Sequence, residues 1–155
     1  MKRIIEKTDD GSTTLFVPEL NEHYHSTKGA RTESQHIFIN MGLKASTATT
    51  PHILEIGFGT GLNAWLTLEE AEKSGRNVYY TGLELYPLEW QLVEQLGLLR
   101  INPSAMEITS PIAGRKAKNA ISAPFPCRKF TILSTFSFFT LKYFSIQLIL
   151  PRRPI

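Results

Sequence analysis

The sequence predicts an α/β chain of the doubly wound class, with a parallel sheet preceded by an N-terminal β-hairpin. Three observations predict it. Short apolar strands alternate with helical periodicity over residues 53–99, a glycine loop joins the first of these strands to the first helix, and an acidic residue closes the second strand. Strands that alternate with helices come out parallel, because each crossover helix carries the chain back to the edge it started from.

The elements follow in order. Residues 3–8 and 13–17 read as two short strands, with Asp10-Gly11 between them as a hairpin signal, since glycine accepts the positive φ of tight turns. Residues 21–36 are polar and read as a loop entering a short helix; Ile37-Phe38-Ile39 either ends that helix or opens a buried segment. Residues 45–51, small and closed by Pro51, form a linker. Ile53–Ile56 is a buried strand, and a helix runs from about Leu62 to Ser74, stopped by Gly75. Residues 78–83 make the second strand, rich in side chains that suit a pleated surface. Pro87 opens a second helix, Leu88–Leu99, with Leu88, Leu92, Leu96 and Leu99 on its apolar face.

Composition narrows the function. Cys127 is the only cysteine, which excludes an internal disulfide and argues against a cysteine metal site. His23, His25, His36 and His52 have neither H-x-x-x-H spacing nor clustered acids, so no metal is expected. Lys2, Arg3 and Glu6 bring charge too early for the apolar core of a signal peptide, and the cytoplasm is the expected compartment.

The segment Glu55-Ile56-Gly57-Phe58-Gly59-Thr60-Gly61-Leu62-Asn63 carries the chemistry. A glycine loop between strand and helix lets backbone approach a ligand closely. Nucleoside-triphosphate loops end in Gly-Lys-Ser/Thr, but Leu62 follows Gly61; the dinucleotide fingerprint G-x-G-x-x-G/A meets Leu62 at its third place. The pattern that remains, E-x-G-x-G-x-G, is that of class I methyltransferases, which bind S-adenosylmethionine. A carboxylate in the first strand favours the cationic sulfonium of that cofactor where it would repel a pyrophosphate. Glu84, 23 residues after Gly61, stands where an acid accepts hydrogen bonds from ribose hydroxyls.

Residues 1–107 resemble the MnmC-like family, at the methyltransferase domain of a bifunctional protein that completes 5-methylaminomethyl-2-thiouridine in tRNA. Three blocks carry the resemblance: Asp10 to Leu15; Glu22 to Ser26 with Gly29-Ala30, Glu33-Ser34 and His36 to Ile39; and Leu54 to Asn63 with Leu83 to Leu88 behind it. The resemblance implies methyl transfer from S-adenosylmethionine to the primary amine of 5-aminomethyl-(2-thio)uridine at the wobble position. It places the cofactor on Glu55, Gly57, Phe58, Gly59, Thr60, Gly61, Asn63 and Glu84, with Tyr24, Ser26, Gly29 and Glu33 near it or closing over it. It also implies a tRNA substrate and no membrane. The flavin-dependent oxidase domain of the bifunctional members has no counterpart here, which leaves a separate oxidase as a partner. The remaining readings are a non-catalytic remnant and a methyltransferase of another substrate.

The departure from the family is equally informative. Family members continue with an Asp-Ala-Phe-Ala-Pro-like motif whose aspartate faces the reacting amine, whereas this chain has no aspartate after Asp10. Catalytic residues therefore stay unassigned. Residues 1–107 hold 9 Lys and Arg against all 14 Asp and Glu, while residues 108–155 hold 8 Lys and Arg and no acidic side chain. Three readings stand for residues 108–155. The first, a shifted reading frame or other coding break near Met106–Ile108, explains together the loss of acids, of periodicity and of the aspartate motif. The second is a membrane anchor over Phe130–Leu150, weakened by Lys142. The third is a basic RNA-binding arm using Arg115, Lys116, Lys118, Arg128, Lys129, Arg152 and Arg153. The first is the expectation: an incomplete methyltransferase domain over 1–107, then sequence foreign to the family.

Overall fold

The computed structural model describes residues 1–98 in full and residues 129–134 and 146–150 as backbone strands. Leu99, the boundary near Met106–Ile108, Cys127, Lys142 and the tail cations other than Lys129 lie outside the described residues.

Strands β1 (Ile4–Lys7), β2 (Thr13–Val17) and β3 (Glu22–His23) form an antiparallel sheet in that order. The expected hairpin is there, with Lys7 opposite Thr13 and Gly11 in the left-handed region at φ 79°. Asp10 organises the turn. Its carboxylate accepts hydrogen bonds from the Thr8 hydroxyl (2.7 Å) and the Ser12 amide (2.9 Å), and from Thr32 amide and hydroxyl (2.9 and 2.8 Å). Burial acts to raise the Asp10 pKa, but the hydrogen bonds from Ser12, Thr8 and Thr32 outweigh it and hold the carboxyl well below the usual range.

Helix α1 (Ala30–Ser34) continues into a π-helical segment, Gln35–Leu43, which no local signal announces. The Lys44 amide bonds the Ile39 carbonyl at 2.8 Å, five residues back, in the wider π pattern. Ile39 and Leu43, one turn apart, are both buried, while Ile37 and Met41 face outward. Arg76 secures the segment's end. Its guanidinium donates to the carbonyls of Leu43 (2.9 Å), Ser46 (2.7 Å) and Ala48 (3.1 Å), tying down the linker before β4. A lysine ammonium is a point charge and cannot reproduce this fork. Arg76→Lys is therefore expected to lower stability by about 1.5–3 kcal/mol, as for lost charged hydrogen bonds, measured by urea denaturation.

Beyond the linker come β4 (His52–Ile56), α2 (Leu62–Ser74), β5 (Tyr79–Glu84) and α3 (Trp90–Leu96). Helix α2 has its expected bounds. Gly75 caps it in the left-handed region, and the Arg76 amide reaches the Ala71 carbonyl at 3.1 Å. Helix α3 is shorter than expected, because Glu89 is extended and Gly97, at φ 62°, turns the chain out of the helix. Leu15, Ile39, Leu62, Leu66, Tyr80 and Leu96 belong to one buried cluster, so the antiparallel sheet, the helices and the second sheet share a core.

The second sheet has the order β6-β5-β4-β7, where β6 is Lys129–Ser134 and β7 is Ile146–Leu150. β4, β5 and β6 are parallel, in the spatial order third-second-first that a doubly wound sheet adopts. β7 is antiparallel to β4, with Ile56 opposite Ile146. This corrects the expectation of a wholly parallel sheet. Only residues 135–145 join β6 to β7, too few for the crossover of a dozen or more residues that a parallel return needs. The described ends of Phe130–Leu150 are strands, not the helix a membrane anchor of that length would form. Among the described residues no helix is long and apolar enough to cross a membrane.

Candidate functional site

The glycine loop leaves the carboxyl end of β4 and enters α2. Gly57, Gly59 and Gly61 all have positive φ, at 81°, 52° and 78°, a backbone route open to glycine at little cost. Main-chain bonds fix the loop to the neighbouring strand: the amides of Gly57 and Phe58 donate to the Leu83 carbonyl at 2.8 and 3.2 Å. Phe58 packs over Gly82, where an added Cβ would come within 2.7 Å of its ring. Both absent side chains, at Gly59 and at Gly82, make room for aromatic rings, since a Cβ on Gly59 would stand 3.2 Å from Tyr24.

Glu84 closes the loop from the β5 side. One carboxylate oxygen accepts the Gly59 amide at 2.7 Å and the other accepts the Tyr86 amide at 2.8 Å. A carboxylate has about four acceptor positions, so two main-chain donors orient Glu84 and leave capacity for a pair of ligand hydroxyls.

Glu55 faces inward. It is fully buried, accepts the Tyr80 hydroxyl at 2.6 Å and the Asn63 amide at 2.9 Å, and so ties β4 to β5 and to the first turn of α2. Asn63 is thereby paired with Glu55 at the point where α2 begins.

The N-terminal sheet reaches the loop as well. Tyr24 lies against Gly59, and Arg3 Nε donates to its hydroxyl at 3.3 Å. The neighbouring His25 pairs through Nε2 with the hydroxyl of Thr60 at 2.8 Å, and Thr60 is fully buried. Burial pushes the His25 imidazole down to about 4. Ser26 and Glu33 instead bond each other, the Ser26 amide donating to the Glu33 carboxylate at 2.9 Å. Gly29 packs on the Asp10 carboxyl group, which stands where its Cβ would be.

The structure thus brings Tyr24, Phe58, Gly59, Thr60 and Glu84 around one loop, with Glu55 and Asn63 beneath it. Ser26, Gly29 and Glu33 instead belong to the turn before α1, its N-cap and the helix itself. Sequence reasoning missed His25, considered there only for metal. A separate cleft of about 980 Å³, between the hairpin turn, α1 and the far end of α2, is lined by Asp10, Arg31, Glu69 and Lys73 among others and by none of the residues assigned to the cofactor. Among the described residues no group of three or more His, Cys, Asp or Glu is arranged to hold a metal.

No protein-family model matches the chain. The chain is 34% identical over 83 residues to the tRNA 5-methylaminomethyl-2-thiouridine biosynthesis bifunctional protein MnmC of Magnetococcus marinus, a match covering 49% of this chain and 12% of that protein. It is also similar to the crystal structure of MnmC2 from Aquifex aeolicus, with a TM-score of 0.50 and 32% identity, over 57% of this chain and 31% of that one. The chain therefore spans well under half the length of either.

Proposed function

We propose, from the premise that the chain is MnmC-like, that its described N-terminal part is the cofactor half of an S-adenosylmethionine-dependent methyltransferase site. The observation that carries this reading is the bond between the Gly59 amide and Glu84. It joins the glycine loop to the second acid at the carboxyl ends of two adjacent parallel strands, where ligands of doubly wound sheets bind. Gly57, Gly59 and Gly61 would admit the cofactor against backbone, Glu84 would accept its ribose hydroxyls, and Tyr24 would border it. The cofactor, when bound, supplies a methyl group for transfer. Glu55 would act from beneath, holding Asn63 at the first turn of α2 and Tyr80 on β5.

The substrate class follows from the family: tRNA carrying 5-aminomethyl-(2-thio)uridine at the wobble position, with the cytoplasm as compartment. The domain is read as 1–107, with 108–155 as sequence foreign to the family. Because no aspartate follows Asp10, this chain is read as holding cofactor without completing the transfer.

Calorimetry tests the proposal. The chain is expected to bind S-adenosylmethionine or its demethylated product in preference to NAD or ATP. Glu84→Ala is expected to weaken that binding by about 1.5–3 kcal/mol, as for a lost charged hydrogen bond. A preference for NAD or ATP would refute the assignment.

A further inference from the structure

The glycine loop is held from two sides, and only one of them belongs to the sheet that carries it. On the β5 side, Leu83 and Glu84 take the amides of Gly57, Phe58 and Gly59. On the other side stands a short relay from the N-terminal sheet. Thr14, fully buried on β2, accepts the His25 amide through its hydroxyl at 3.0 Å and returns a hydrogen bond to the His25 carbonyl at 3.2 Å. This double bond to one hydroxyl fixes the His25 backbone. The His25 ring then pairs with Thr60, between Gly59 and Gly61, at 2.8 Å.

We infer that His25 is a positioning residue for the glycine loop: by holding the Thr60 hydroxyl it sets the path of Gly59–Gly61, so that cofactor affinity depends on the N-terminal three-stranded sheet. The inference rests on the cofactor reading given above. Two facts make the bond consequential. Three glycines in five residues give the loop unusual freedom, and freedom removed before binding does not have to be removed on binding. The Thr60 side chain is also the loop's own buried polar group, so its hydroxyl needs a partner within the protein. The ring, with its proton affinity depressed by burial, is neutral near pH 7, and either tautomer can pair with a hydroxyl, which both donates and accepts.

The test uses the full chain as wild type, His25→Phe, His25→Gln, Thr60→Val and Arg76→Lys. Affinity for S-adenosylmethionine is measured by calorimetry, and amide hydrogen exchange is followed over residues 57–61. His25→Phe keeps a ring but cannot pair; it is expected to weaken binding about tenfold, equivalent to ~1.4 kcal/mol, and to speed exchange in the loop. Thr60→Val is expected to do the same, and the double variant to add little to either. His25→Gln, whose amide reaches a similar position, is expected to restore much of the affinity. Arg76→Lys lowers stability away from the loop and is expected to leave affinity unchanged, which separates positioning from general destabilisation. Wild-type affinity in His25→Phe, or an equal loss in Arg76→Lys, would overturn the inference. If the wild type binds no S-adenosylmethionine, the cofactor reading fails, and exchange alone then decides: faster exchange at residues 59–61 in His25→Phe upholds the loop's dependence on His25, and unchanged exchange removes it.

Discussion

No methyl transfer to tRNA bearing 5-aminomethyl-uridine is expected from this chain, even with S-adenosylmethionine bound. Transfer needs a neutral amine held in line with the methyl group, and orientation of that kind can account for roughly 7–11 kcal/mol of a barrier. The cofactor loop supplies one side of such a site. The other side of a doubly wound sheet's ligand crevice is built beyond its first strand, at the switch point where strand order reverses. Here that position, beside β4, is taken by β7 running in the opposite direction. A reversed strand presents its amino end there, not the carboxyl end from which a doubly wound sheet builds its ligand crevice. Residues 108–155 contain no acidic side chain to accept a proton or balance the charge of the amine. A radiolabelled methyl-transfer assay on undermodified tRNA checks this. Turnover by this chain would show that residues 108–155 complete a working site. A chain read in a frame that restores an Asp-Ala-type motif after residue 107 is expected to be active.

Replacing Tyr80 by alanine is expected to cost about 3–5 kcal/mol of stability, the range for losing a large aromatic side chain from a core. Among the described residues Tyr80 heads the fully buried side chains by volume, and it stands in the parallel pair opposite Ile53. Its ring fills the space between sheet and helices, and its hydroxyl donates to Glu55. Tyr80→Phe separates the two contributions, since it keeps the ring and removes the donor. The expected cost is about 1–3 kcal/mol, the penalty for a buried acceptor that loses a partner. Chemical denaturation of both variants measures the difference. Equal losses would show that the hydrogen bond, not the ring, dominates.

What the sequence revealed and what it hid divide along a physical line. Helix α2, strand β2 and the left-handed turn at Gly11 were legible because local rules decide them: helical periodicity, alternation, and glycine where the backbone must turn left-handed. The place of Glu84 at the end of the next strand was legible as a spacing from the glycine loop, whereas its bond to the Gly59 amide was not. The relay from Thr14 through His25 to Thr60 was not, because it joins residues from separate elements and histidine alone carries no mark of its partner. Nor did residues 35–43 signal a π-helical turn, since apolar residues four apart suit an α-helix equally well. The strands β6 and β7 were hidden for a third reason: sequence from 108 onward lacks the acid-bearing alternation that makes a half-exposed strand recognisable, and pairing to an existing sheet decided them instead.

The hydrogen bond from the Thr13 hydroxyl to the Leu96 carbonyl spans 83 residues of sequence and fastens the hairpin to the end of α3. During synthesis the hairpin is made first, and its anchor arrives last. At about 5–20 residues per second, the ribosome needs roughly 4–17 seconds to extend the chain from one partner to the other. Leu15 and Val17, fully covered in the finished protein, have no complete core to enter during that interval. Until residue 96 has been made, the N-terminal sheet lacks both this bond and the part of its core that α3 supplies.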